Sequence, residues 1–487
     1  MGTLAVGTEH YNVVATVGKG TFGEVARGRR TSTGEMVAIK ILRNDGHGGH
    51  VAKNELRLLR ALRRAGADRS HVVRFLESFG DASRTYLVFE LLQQNLFDFQ
   101  KQNNFSPLPV RHIRTIATQV LVALVKLKEL SIIHADLKPE NIMLVDHARF
   151  PFRVKLIDFG SASVFAEVRH VEDPYIQSRF YRAPEILLGL PFCEKVDVWS
   201  LGCVLAELHL GWPLYPGADE HDQVRYICST LGLPRSELLR VARKAPSFFC
   251  RVPHPAGSWQ LKAPGEEAPA RAERRKFVFS SLDQLAVVNI RPAPDPNREA
   301  LAERCDLRGM VELVKRMLTW DSHKRIGPSA ALRHPFISLQ QLKASFGATG
   351  YYRVCQEDLK ASRIVPSVQS AVEKMEGLRL GEAVGDYHQR DGRRGNGGGS
   401  AWSRQQRQGG EGGSSTVPGG RERWLRGTEH GAGRPHVAPD GQRPLVTPCD
   451  SDPPGVAPVP EDKPRGPAWD PPGVTGTQSP APNQQHR

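Results

Sequence analysis

The sequence predicts an α+β chain of two lobes, a small β-rich lobe followed by a larger helical lobe. Strand-forming runs separated by glycine-containing turns extend from Tyr11 to about Leu92, and long amphipathic segments follow from about Val110. At 487 residues the chain exceeds the length that one hydrophobic core usually organises. We therefore expect two lobes together with an additional C-terminal region.

The smaller lobe, at about residues 11–92, is predicted to be a sheet that carries one helix. The runs YNVVATVG, GEVARGRR and EMVAIKIL are rich in β-forming residues and are separated by turns that contain glycine. The run KNELRLLRALRR then repeats leucine at helical spacing. The sequence HGGH, at residues 47–50, precedes this helix, and each Gly in a helix interior costs about 1 kcal/mol. We therefore expect the helix to begin late or to fray at its start.

The larger lobe, at about residues 93–336, is predicted from helical segments such as VRHIRTIATQVLVALVKLKEL and VDVWSLGCVLAELHLG. Residues 232–297 form a Pro- and charge-rich insertion without clear periodicity within this lobe. A mixed segment at residues 337–375 follows, and we expect it to contribute a helix or two against the larger lobe. Residues 1–10 are predicted to be a short N-terminal extension.

The C-terminal tail, at residues 376–487, is dominated by Gly, Pro, Arg and Gln. This composition cannot bury enough apolar surface to offset the entropy lost on ordering, so we predict a disordered tail. The tail holds 14 Lys and Arg against 13 Asp and Glu, so nearly all of the net charge of +14 lies before it. Such a basic surface attracts acidic partners, with an ordinary solvated face as the alternative. No aromatic-and-basic signature accompanies the charge, so direct binding of nucleic acid is not expected.

The cysteines and the apolar segments indicate the compartment. Seven Cys are scattered without a C-x-x-C pair, which disfavours a zinc site and favours a reducing environment. The N-terminus lacks a secretory pattern. The longest apolar stretch, TIATQVLVALVKL, is too short to cross a bilayer. The sequence therefore predicts an intracellular protein that does not associate with membranes.

The first motif with chemical meaning is GKGTFGEV, at residues 18–25. A dinucleotide-binding turn would stand between a strand and a helix, whereas here strand-forming residues lie on both sides, so the glycines belong to a β-hairpin. The motif is not a P-loop either, because that needs Gly five residues before a Gly-Lys-Ser/Thr run. A glycine hairpin can bring backbone N–H groups onto phosphates. A purely structural turn is the alternative.

The second motif, VAIK, places Lys40 within an apolar strand. A buried lone Lys is costly, so it should have an anionic partner. Glu55 on the following helix is the natural candidate, and together they could hold a nucleotide's phosphates. A strand-edge Lys that reaches water is the alternative.

The third motif, HADLKPEN at residues 134–141, is followed after a short strand by the DFG sequence that begins at Asp158. Phosphoryl transfer needs a group that accepts the hydroxyl proton, and it needs oxygens that hold Mg²⁺. Asp136, Lys138 and Asn141 in one loop, with Asp158 as a second carboxylate, supply these groups. An ordinary polar loop is the alternative, which the spacing to the glycine hairpin and to Lys40 disfavours.

The motifs GKGTFGEV, VAIK, HADLKPEN, DFG, APE and DVWSLG occur in the order and approximate spacing of a eukaryotic protein kinase. The resemblance covers about residues 11–336 and implies the two-lobed protein kinase fold, with ATP and Mg²⁺ as cofactors. It implies that Asp136 is the catalytic base, that Lys138 steadies the transferring phosphate, and that Asn141 and Asp158 are metal ligands. The residues implied to bind the nucleotide are Val17, Gly18, Lys19, Gly20, Thr21, Phe22, Gly23, Glu24, Val25, Lys40, Glu55, Glu90 and Leu92.

The resemblance also implies two further roles. Phe89 would be the gatekeeper beside the adenine, next to backbone groups of Glu90 and Leu92. Glu185 of the APE motif would pair with Arg325 and tie the end of the activation segment to the larger lobe. The Lys in HADLKPEN resembles the Ser/Thr kinases rather than the tyrosine kinases.

The run PYIQSRFYRAPE, at residues 174–185, resembles the dual-specificity tyrosine-regulated kinases and the homeodomain-interacting protein kinases, and HADLKPEN is similar to the latter. This implies autophosphorylation of Tyr175, whose phosphate Arg179 and Arg182 would hold, with a packed aromatic as the alternative. It also implies a preference for Pro after the acceptor. Ala135 stands where most kinases have Arg, which implies that an upstream kinase does not activate the protein in the usual way.

The sequence thus predicts a Ser/Thr kinase, with a pseudokinase scaffold as the alternative. None of the residues whose loss marks a scaffold is missing. The expected partners are protein substrates with Ser or Thr acceptors, and the resemblance adds transcription regulators. The chain is expected to be a monomer in the cytoplasm, with the nucleus as the alternative location.

Overall fold

The computed structural model describes residues 3–6, 9–20, 23–44, 46–168, 174–252, 258–263, 273–289 and 296–362. The predicted disordered tail lies outside the described residues. So do residues 21 and 22 at the tip of the glycine hairpin.

The smaller lobe is built on an antiparallel sheet of six strands in the spatial order β1-β2-β3-β4-β6-β5. The strands are β1 (Thr3–Val6), β2 (Glu9–Gly20), β3 (Gly23–Arg30), β4 (Met36–Arg43), β5 (Phe75–Gly80) and β6 (Arg84–Glu90). The predicted N-terminal extension therefore includes a strand, because β1 pairs with β2 and continues the sheet.

Helix α1 (Gly46–Arg64) connects β4 to β5. The prediction of a late start is wrong, since the helix already begins at Gly46. Ala52, Leu58, Leu59 and Leu62 are buried on its inner face. Burying a leucine side chain contributes about 1.5–3 kcal/mol, which outweighs the cost of glycine in the first turns.

The larger lobe is mainly helical, and its centre is the helix at Lys195–Leu210, where every residue from Val196 to Leu210 is buried. Its helices are α2 (Leu96–Gln102), α3 (Val110–Glu129), α4 (Phe165–Val168), α5 (Pro184–Leu187), α6 (Lys195–Leu210), α7 (Glu220–Leu231), α8 (Ser236–Val241), α9 (Ala245–Phe248), α10 (Arg298–Met317), α11 (Pro328–Leu332), α12 (Pro335–Ser338), α13 (Gln340–Phe346) and α14 (Gly350–Ser362).

Short strands and 3₁₀ turns complete the described architecture. The strands are β7 (Gln94–Asn95), β8 (Ile132–Ile133), β9 (Ile142–Leu144), β10 (Val154–Leu156), β11 (Ser163–Val164), β12 (Phe249–Val252) and β13 (Ser258–Leu261). The 3₁₀ turns are at Ala67–Ser70, Pro139–Asn141, Arg179–Tyr181 and Leu282–Ala286. Strand β9 pairs with β10 on one side and with β7 on the other, and β8 pairs with β11. These strands flank the two loops that carry the HADLKPEN and DFG motifs.

The insertion at residues 232–297 is more regular than its sequence predicts. Its described parts contain α8, α9, the β12–β13 hairpin and a 3₁₀ turn. Phe249, Phe279, Leu282 and Leu285 are buried in the main core of the larger lobe. Phe279, Leu282 and Leu285 lie three residues apart, but Phe249 is distant from them in the sequence, so no periodic pattern extends through the insertion.

Two helices follow the core of the larger lobe, in the segment for which we expected a helix or two. Helices α13 and α14 bury Leu342, Tyr352, Cys355 and Leu359 in a small separate cluster with Ala302 of α10. The buried Arg114 of α3 pairs with Asp306 of α10, which also accepts a hydrogen bond from the Tyr351 hydroxyl at 2.8 Å.

Among the described helices, none combines the length and the apolar character that a membrane-spanning helix needs.

The end of α6 provides a test of this architecture. Gly211 has φ of 67°, and a Cβ there would collide with the carbonyl oxygen of Phe105. We expect Gly211→Ala to lower the free energy of unfolding by about 1–3 kcal/mol, because left-handed backbone strain adds to the collision. Chemical denaturation measures it.

The matched control is Gly327→Ala. Gly327 has φ of −86°, and nothing lies within 4 Å of a Cβ placed there. The free energy of unfolding of this variant should differ from that of the unsubstituted protein by less than about 0.5 kcal/mol. Equal losses in the two variants would contradict the assignment of strain to Gly211.

Candidate active site

The central feature of the site is one lysine shared by two carboxylates. Lys40 Nζ on β4 lies 2.7 and 2.8 Å from the two carboxylate oxygens of Glu55 on α1, and 2.8 Å from Asp158 Oδ1. β4 lies between β3 and β6 in the sheet and Glu55 is buried, so Lys40 is not a strand-edge side chain. The structure thus brings together the VAIK strand, the following helix and the DFG motif.

Lys40 and Asp158 favour each other's charged forms, whereas burial and the Asp158 carboxylate raise the pKa of Glu55. Burial opposes the ionised forms, but the Glu55 and Asp158 carboxylates outweigh it and raise the pKa of Lys40. Burial likewise opposes ionisation of Asp158, but Lys40 outweighs it and lowers the pKa of Asp158 to about 2. Lys40 is therefore a cation and Asp158 an anion at neutral pH.

Backbone conformation and a buried ring orient Asp158. Its φ is 63°, in the left-handed region that costs a non-glycine residue free energy. The next residue, Phe159, is fully buried and packs edge-to-face against the His134 ring at 5.2 Å. Asp158 Oδ1 also accepts a hydrogen bond from the Gly160 backbone N–H at 3.1 Å.

The HADLKPEN loop holds its polar groups around Asp136. Lys138 Nζ lies 2.8 Å from Asp136 Oδ2. Asn141 Nδ2 donates to the Asp136 carbonyl at 2.7 Å and to Asp136 Oδ2 at 3.2 Å. Neither of these hydrogen bonds uses the amide oxygen of Asn141. The amide oxygen and the Asp158 carboxylate are the hard ligands that Mg²⁺ prefers, and together with phosphate and water they suffice for it.

A buried carboxylate on α6 anchors this loop. The two oxygens of Asp197 accept hydrogen bonds from the His134 N–H at 2.8 Å and from the Ala135 N–H at 3.0 Å. Ala135 has φ of 63°, so the anchor holds the loop in a strained conformation. The sequence motifs did not indicate this role, although a lone Asp in an apolar helix is costly to bury and therefore signals a partner.

Ser178 is a second residue whose role the sequence motifs did not indicate. Its hydroxyl donates to Asp136 Oδ1 at 2.7 Å, and Lys138 Nζ donates to the same hydroxyl at 3.1 Å. Ser178 lies in the activation segment, 42 residues from Asp136. A hydroxyl at this place is therefore within reach of the carboxylate that would accept its proton.

The glycine hairpin is formed by β2 and β3. Gly18 pairs with Val25 and Gly20 with Gly23, and Val25 in turn pairs with Lys40 on β4. This register places the hairpin beside the lysine. The backbone of Lys19 belongs to β2, Val17 is exposed and Glu24 half-buried, whereas Thr21 and Phe22 lie outside the described residues.

The segment between the lobes contains the residues expected near adenine. The partly buried Phe89 packs against Phe75 at 5.7 Å, and Leu92 is buried. Glu90 has a structural role that the sequence did not indicate, because its Oε1 accepts hydrogen bonds from Lys155 Nζ at 2.5 Å and from the Arg74 N–H at 2.6 Å. Contacts of Glu90 and Leu92 with adenine stay a prediction.

Tyr175 of the activation segment is accessible. Its side chain is 57% exposed, which excludes a packed core aromatic. The Arg182 guanidinium lies over the ring at 4.3 Å from its centroid and lowers the pKa of the Tyr175 hydroxyl. Arg179 instead donates to the carbonyl of Ala218. The structure thus brings Arg182 against Tyr175 and directs Arg179 elsewhere.

Two buried glutamates hold the end of the activation segment. Glu185 forms a two-point ion pair with Arg325 at 2.7 Å for each bond, as the resemblance implied. The Tyr181 hydroxyl donates to Glu207 Oε2 on α6 at 2.8 Å. Burial raises the pKa of Glu207 to about 8, with the hydrogen bond from Tyr181 opposing the shift and the Glu140 carboxylate adding to it.

Comparisons with known proteins agree with this geometry. The sequence profile described as "Protein kinase domain" matches residues 11–337. Homeodomain-interacting protein kinase 4 from Rattus norvegicus is 65% identical over 364 residues, which are 73% of this chain and 59% of that protein. The protein of that name from Homo sapiens is 63% identical over 372 residues, 74% of this chain and 60% of that protein. Homeodomain-interacting protein kinase 1 from Mus musculus is 49% identical over 358 residues, 72% of this chain and 29% of that protein.

The chain thus spans about three fifths of the length of the first two relatives. The matches confirm the resemblance to the homeodomain-interacting protein kinases that the activation-segment motif indicated.

The raised pKa of Glu207 can be tested through the pH dependence of the free energy of unfolding. Its pKa in the folded protein is about 8, against an ordinary value of 4.5. The folded state therefore binds a proton that the unfolded state has released, and stability falls as the pH rises between these values, by up to about 1.4 kcal/mol per unit. We expect Glu207→Gln to remove this part of the pH dependence, because the amide stays neutral and still accepts from Tyr181. Denaturant unfolding from pH 5 to 8 measures it.

The matched control is Glu237→Gln, at an exposed glutamate that pairs with Arg240 on the surface. It should keep the pH dependence of the unsubstituted protein. Parallel pH profiles for Glu207→Gln and the unsubstituted protein would contradict a raised pKa at Glu207.

Proposed function

Because the chain belongs to the protein kinase family, we propose that it transfers the γ-phosphate of Mg·ATP to Ser and Thr hydroxyls of protein substrates. The observation that carries this proposal is the convergence of three distant segments. Lys40 with Glu55 meets Asp158 in one group, and Asp136 and Asn141 lie in the adjoining loop. Phosphoryl transfer needs all of these groups.

Lys40 and the glycine hairpin are suited to hold ATP. Glu55 fixes the ammonium group of Lys40, and Val25 beside it belongs to the hairpin whose backbone N–H groups can bind phosphate. Asp158 and the amide oxygen of Asn141 would bind Mg²⁺, which neutralises charge on the phosphates when bound. Such a site is built mainly for positioning and for electrostatic stabilisation.

Asp136 is suited to accept the proton of the acceptor hydroxyl. The acceptor oxygen forms a bond to the γ-phosphorus, the bond from that phosphorus to the bridging oxygen of ADP breaks, and the hydroxyl proton passes to Asp136. The contact with the Ser178 hydroxyl at 2.7 Å is of the length that such a transfer needs. Lys138, at 2.8 Å from Asp136, places a cation beside the transferring phosphate.

The acceptor preference and the self-modification are finer parts of the proposal. The Lys of HADLKPEN supports Ser and Thr as acceptors, and similarity to the homeodomain-interacting protein kinases supports Pro after the acceptor. The exposed Tyr175 supports autophosphorylation, with Arg182 beside it to bind the phosphate through charge-assisted hydrogen bonds.

The partners and the location extend the proposal further. The names of the related proteins state that they interact with homeodomain proteins. On this ground we propose transcription regulators among the substrates. We further propose a monomer in the cytoplasm, with the nucleus as the alternative, because no long Lys/Arg cluster marks the chain for nuclear import.

The proposal predicts the effect of removing the proton acceptor. Asp136→Asn should lower kcat by about 10²–10⁴-fold, the usual contribution of a general base, with little change in the KM for ATP. Incorporation of radiolabelled phosphate into peptides that differ only at the acceptor and the next residue, as Ser-Pro, Thr-Pro, Tyr-Pro and Ser-Ala, measures both the rate and the acceptor class.

Asp146→Asn is the matched control, since Asp146 is a half-exposed loop carboxylate in the same lobe and accepts from the Arg149 N–H. It should keep full activity. Equal incorporation of phosphate by the unsubstituted protein and by Asp136→Asn would contradict the kinase proposal and favour the pseudokinase scaffold.

Autophosphorylation predicts a specific product. Mass spectrometry of protein incubated with Mg·ATP should find phosphate on Tyr175, and Tyr175→Phe should lose it together with about tenfold in kcat. One hydrogen bond to a charged group is worth about 1.5–3 kcal/mol, which is the origin of this estimate. Asp136→Asn protein is the control and should carry no phosphate at Tyr175. Phosphorylated Tyr175 in that variant, or an unchanged rate in Tyr175→Phe, would contradict self-activation.

A further inference from the structure

The insertion of the larger lobe places an arginine over the activation segment. The guanidinium of Arg274 lies 5.8 Å from the centre of the Phe180 ring, within the range of a cation–π contact. Phe180 is half-buried against the core of the larger lobe, whereas Arg274 is exposed. A cation from a distant part of the chain therefore lies on the outer surface of the activation segment.

The backbone of Arg274 is fixed by aromatic side chains. Its N–H donates to the Tyr226 hydroxyl at 3.4 Å, and its carbonyl accepts a hydrogen bond from Trp212 Nε1 at 3.0 Å. Trp212 is nevertheless 41% exposed, so it contributes to the same surface. We call Phe180, Trp212 and Arg274 the arginine–aromatic subsite. Because its parts are held in advance, a ligand that binds there has less ordering to bring about.

The two neighbouring arginines of the insertion have different surroundings. The side chain of Arg275 is only 8% exposed and forms an ion pair with Glu273. Glu220, a second carboxylate of this region, is held by Arg182. Among the described residues, no carboxylate lies within ion-pair distance of the Arg274 guanidinium. Arg275 thus has a structural role, whereas the charge of Arg274 is available to a partner.

The arginine–aromatic subsite lies close to the place that an acceptor hydroxyl would take. The Ser178 hydroxyl contacts Asp136 at 2.7 Å, and Phe180 follows Ser178 by two residues. Two residues span at most about 7 Å, so Arg274 lies within about 20 Å of the acceptor position. An extended peptide covers that distance in about six residues. A peptide whose acceptor lies at Asp136 can therefore reach the subsite.

We propose that the arginine–aromatic subsite binds an anionic side chain of the protein substrate, within about six residues of the acceptor, and so contributes to substrate selection. The inference rests on the proposed kinase function and names a substrate class for it. The anion is the carboxylate of Asp or Glu, or the phosphate group of a residue that was phosphorylated beforehand. Arg forms charge-assisted hydrogen bonds with both groups, and aromatic residues and Arg are enriched where proteins recognise partners.

The exposure of Arg274 determines the size of the effect. An ion pair between exposed groups changes affinity by up to about fivefold and weakens as salt screens it. The contact lies away from the reacting atoms, so it is made equally in the bound substrate and in the transition state. Such a contact lowers KM and leaves kcat nearly unchanged.

The experiment measures KM and kcat of the full chain for peptides that share one Ser-Pro acceptor. Each peptide carries a single Asp at one position, up to six residues on either side of the acceptor. At one position or more, Asp should lower KM by about two- to fivefold relative to Asn. Arg274→Ala should remove this difference with little change in kcat. Phosphoserine at that position identifies the preferred anion, because a larger effect than that of Asp indicates phosphate and a smaller one the carboxylate.

Charge reversal distinguishes recognition from a structural role. Arg274→Glu should disfavour the Asp peptide and prefer a peptide with Lys at the same position, and Arg274→Lys should keep part of the preference for Asp. A merely structural change would alter the rate equally for all peptides. Rising salt should reduce the preference of the unsubstituted protein.

The matched control is Arg251→Ala. Arg251 is exposed, belongs to the same insertion and lies 4.9 Å from the centre of the Trp259 ring on the β12–β13 hairpin. This variant should keep the preference for Asp. The proposal is overturned if Asp lowers KM at no position, or if Arg251→Ala and Arg274→Ala lose the preference equally.

Peptide binding without ATP separates this inference from the proposed function. Fluorescence anisotropy of the labelled Asp and Asn peptides measures their affinity without any transfer of phosphate. If the protein transfers no phosphate, the kinase proposal fails, but tighter binding of an Asp peptide that Arg274→Ala abolishes still supports the subsite. Equal binding of the Asp and Asn peptides overturns it.

Discussion

The arrangement of the site depends on one cation that two carboxylates share. Lys40 of the small sheet binds Glu55 of α1 and Asp158 of the larger lobe. A buried lysine without partners would lose its proton or move to water. Because the partners come from three separate elements, the position of each element is set by the same ammonium group. The same ammonium group thus joins the ion pair of the smaller lobe to the DFG segment of the larger lobe.

The larger lobe contributes rigidity by burying polar groups and by holding strained backbone. Asp197 accepts two backbone hydrogen bonds and fixes the loop that carries Asp136, and Phe159 is buried beneath Asp158. Left-handed conformations at Ala135 and Asp158 cost free energy that these contacts offset. This is the expected result where a site needs fixed polar groups, since groups positioned in advance need not reorganise during the reaction.

The activation segment contacts both the smaller and the larger lobe at several points. Ser178 contacts Asp136, the hydroxyl of Tyr181 contacts Glu207, and Glu185 binds Arg325. The segment's first residues contact α1 through the ion pair of Glu167 with Arg57. Its start thus depends on the smaller lobe and its end on the core of the larger lobe. Among the described residues next to Tyr175, Pro174 and Gln177 are buried whereas Tyr175 itself is exposed, so a modification of Tyr175 can act on the segment.

The sequence by itself determined the two lobes, most of the long helices and strands, and the residue types of the site, because periodicity and motif spacing are local. It indicated Lys40, Asp136, Asn141 and Asp158 before any contact was known. The start of α1 and the structured insertion were decided by tertiary packing, since buried leucines and phenylalanines outweighed glycine and the lack of periodicity. The contacts of Ser178, Asp197 and Arg57 also belong to the tertiary structure alone. Their partners are about 40 to 110 residues apart, and only the packed core determines which of the many polar side chains meet.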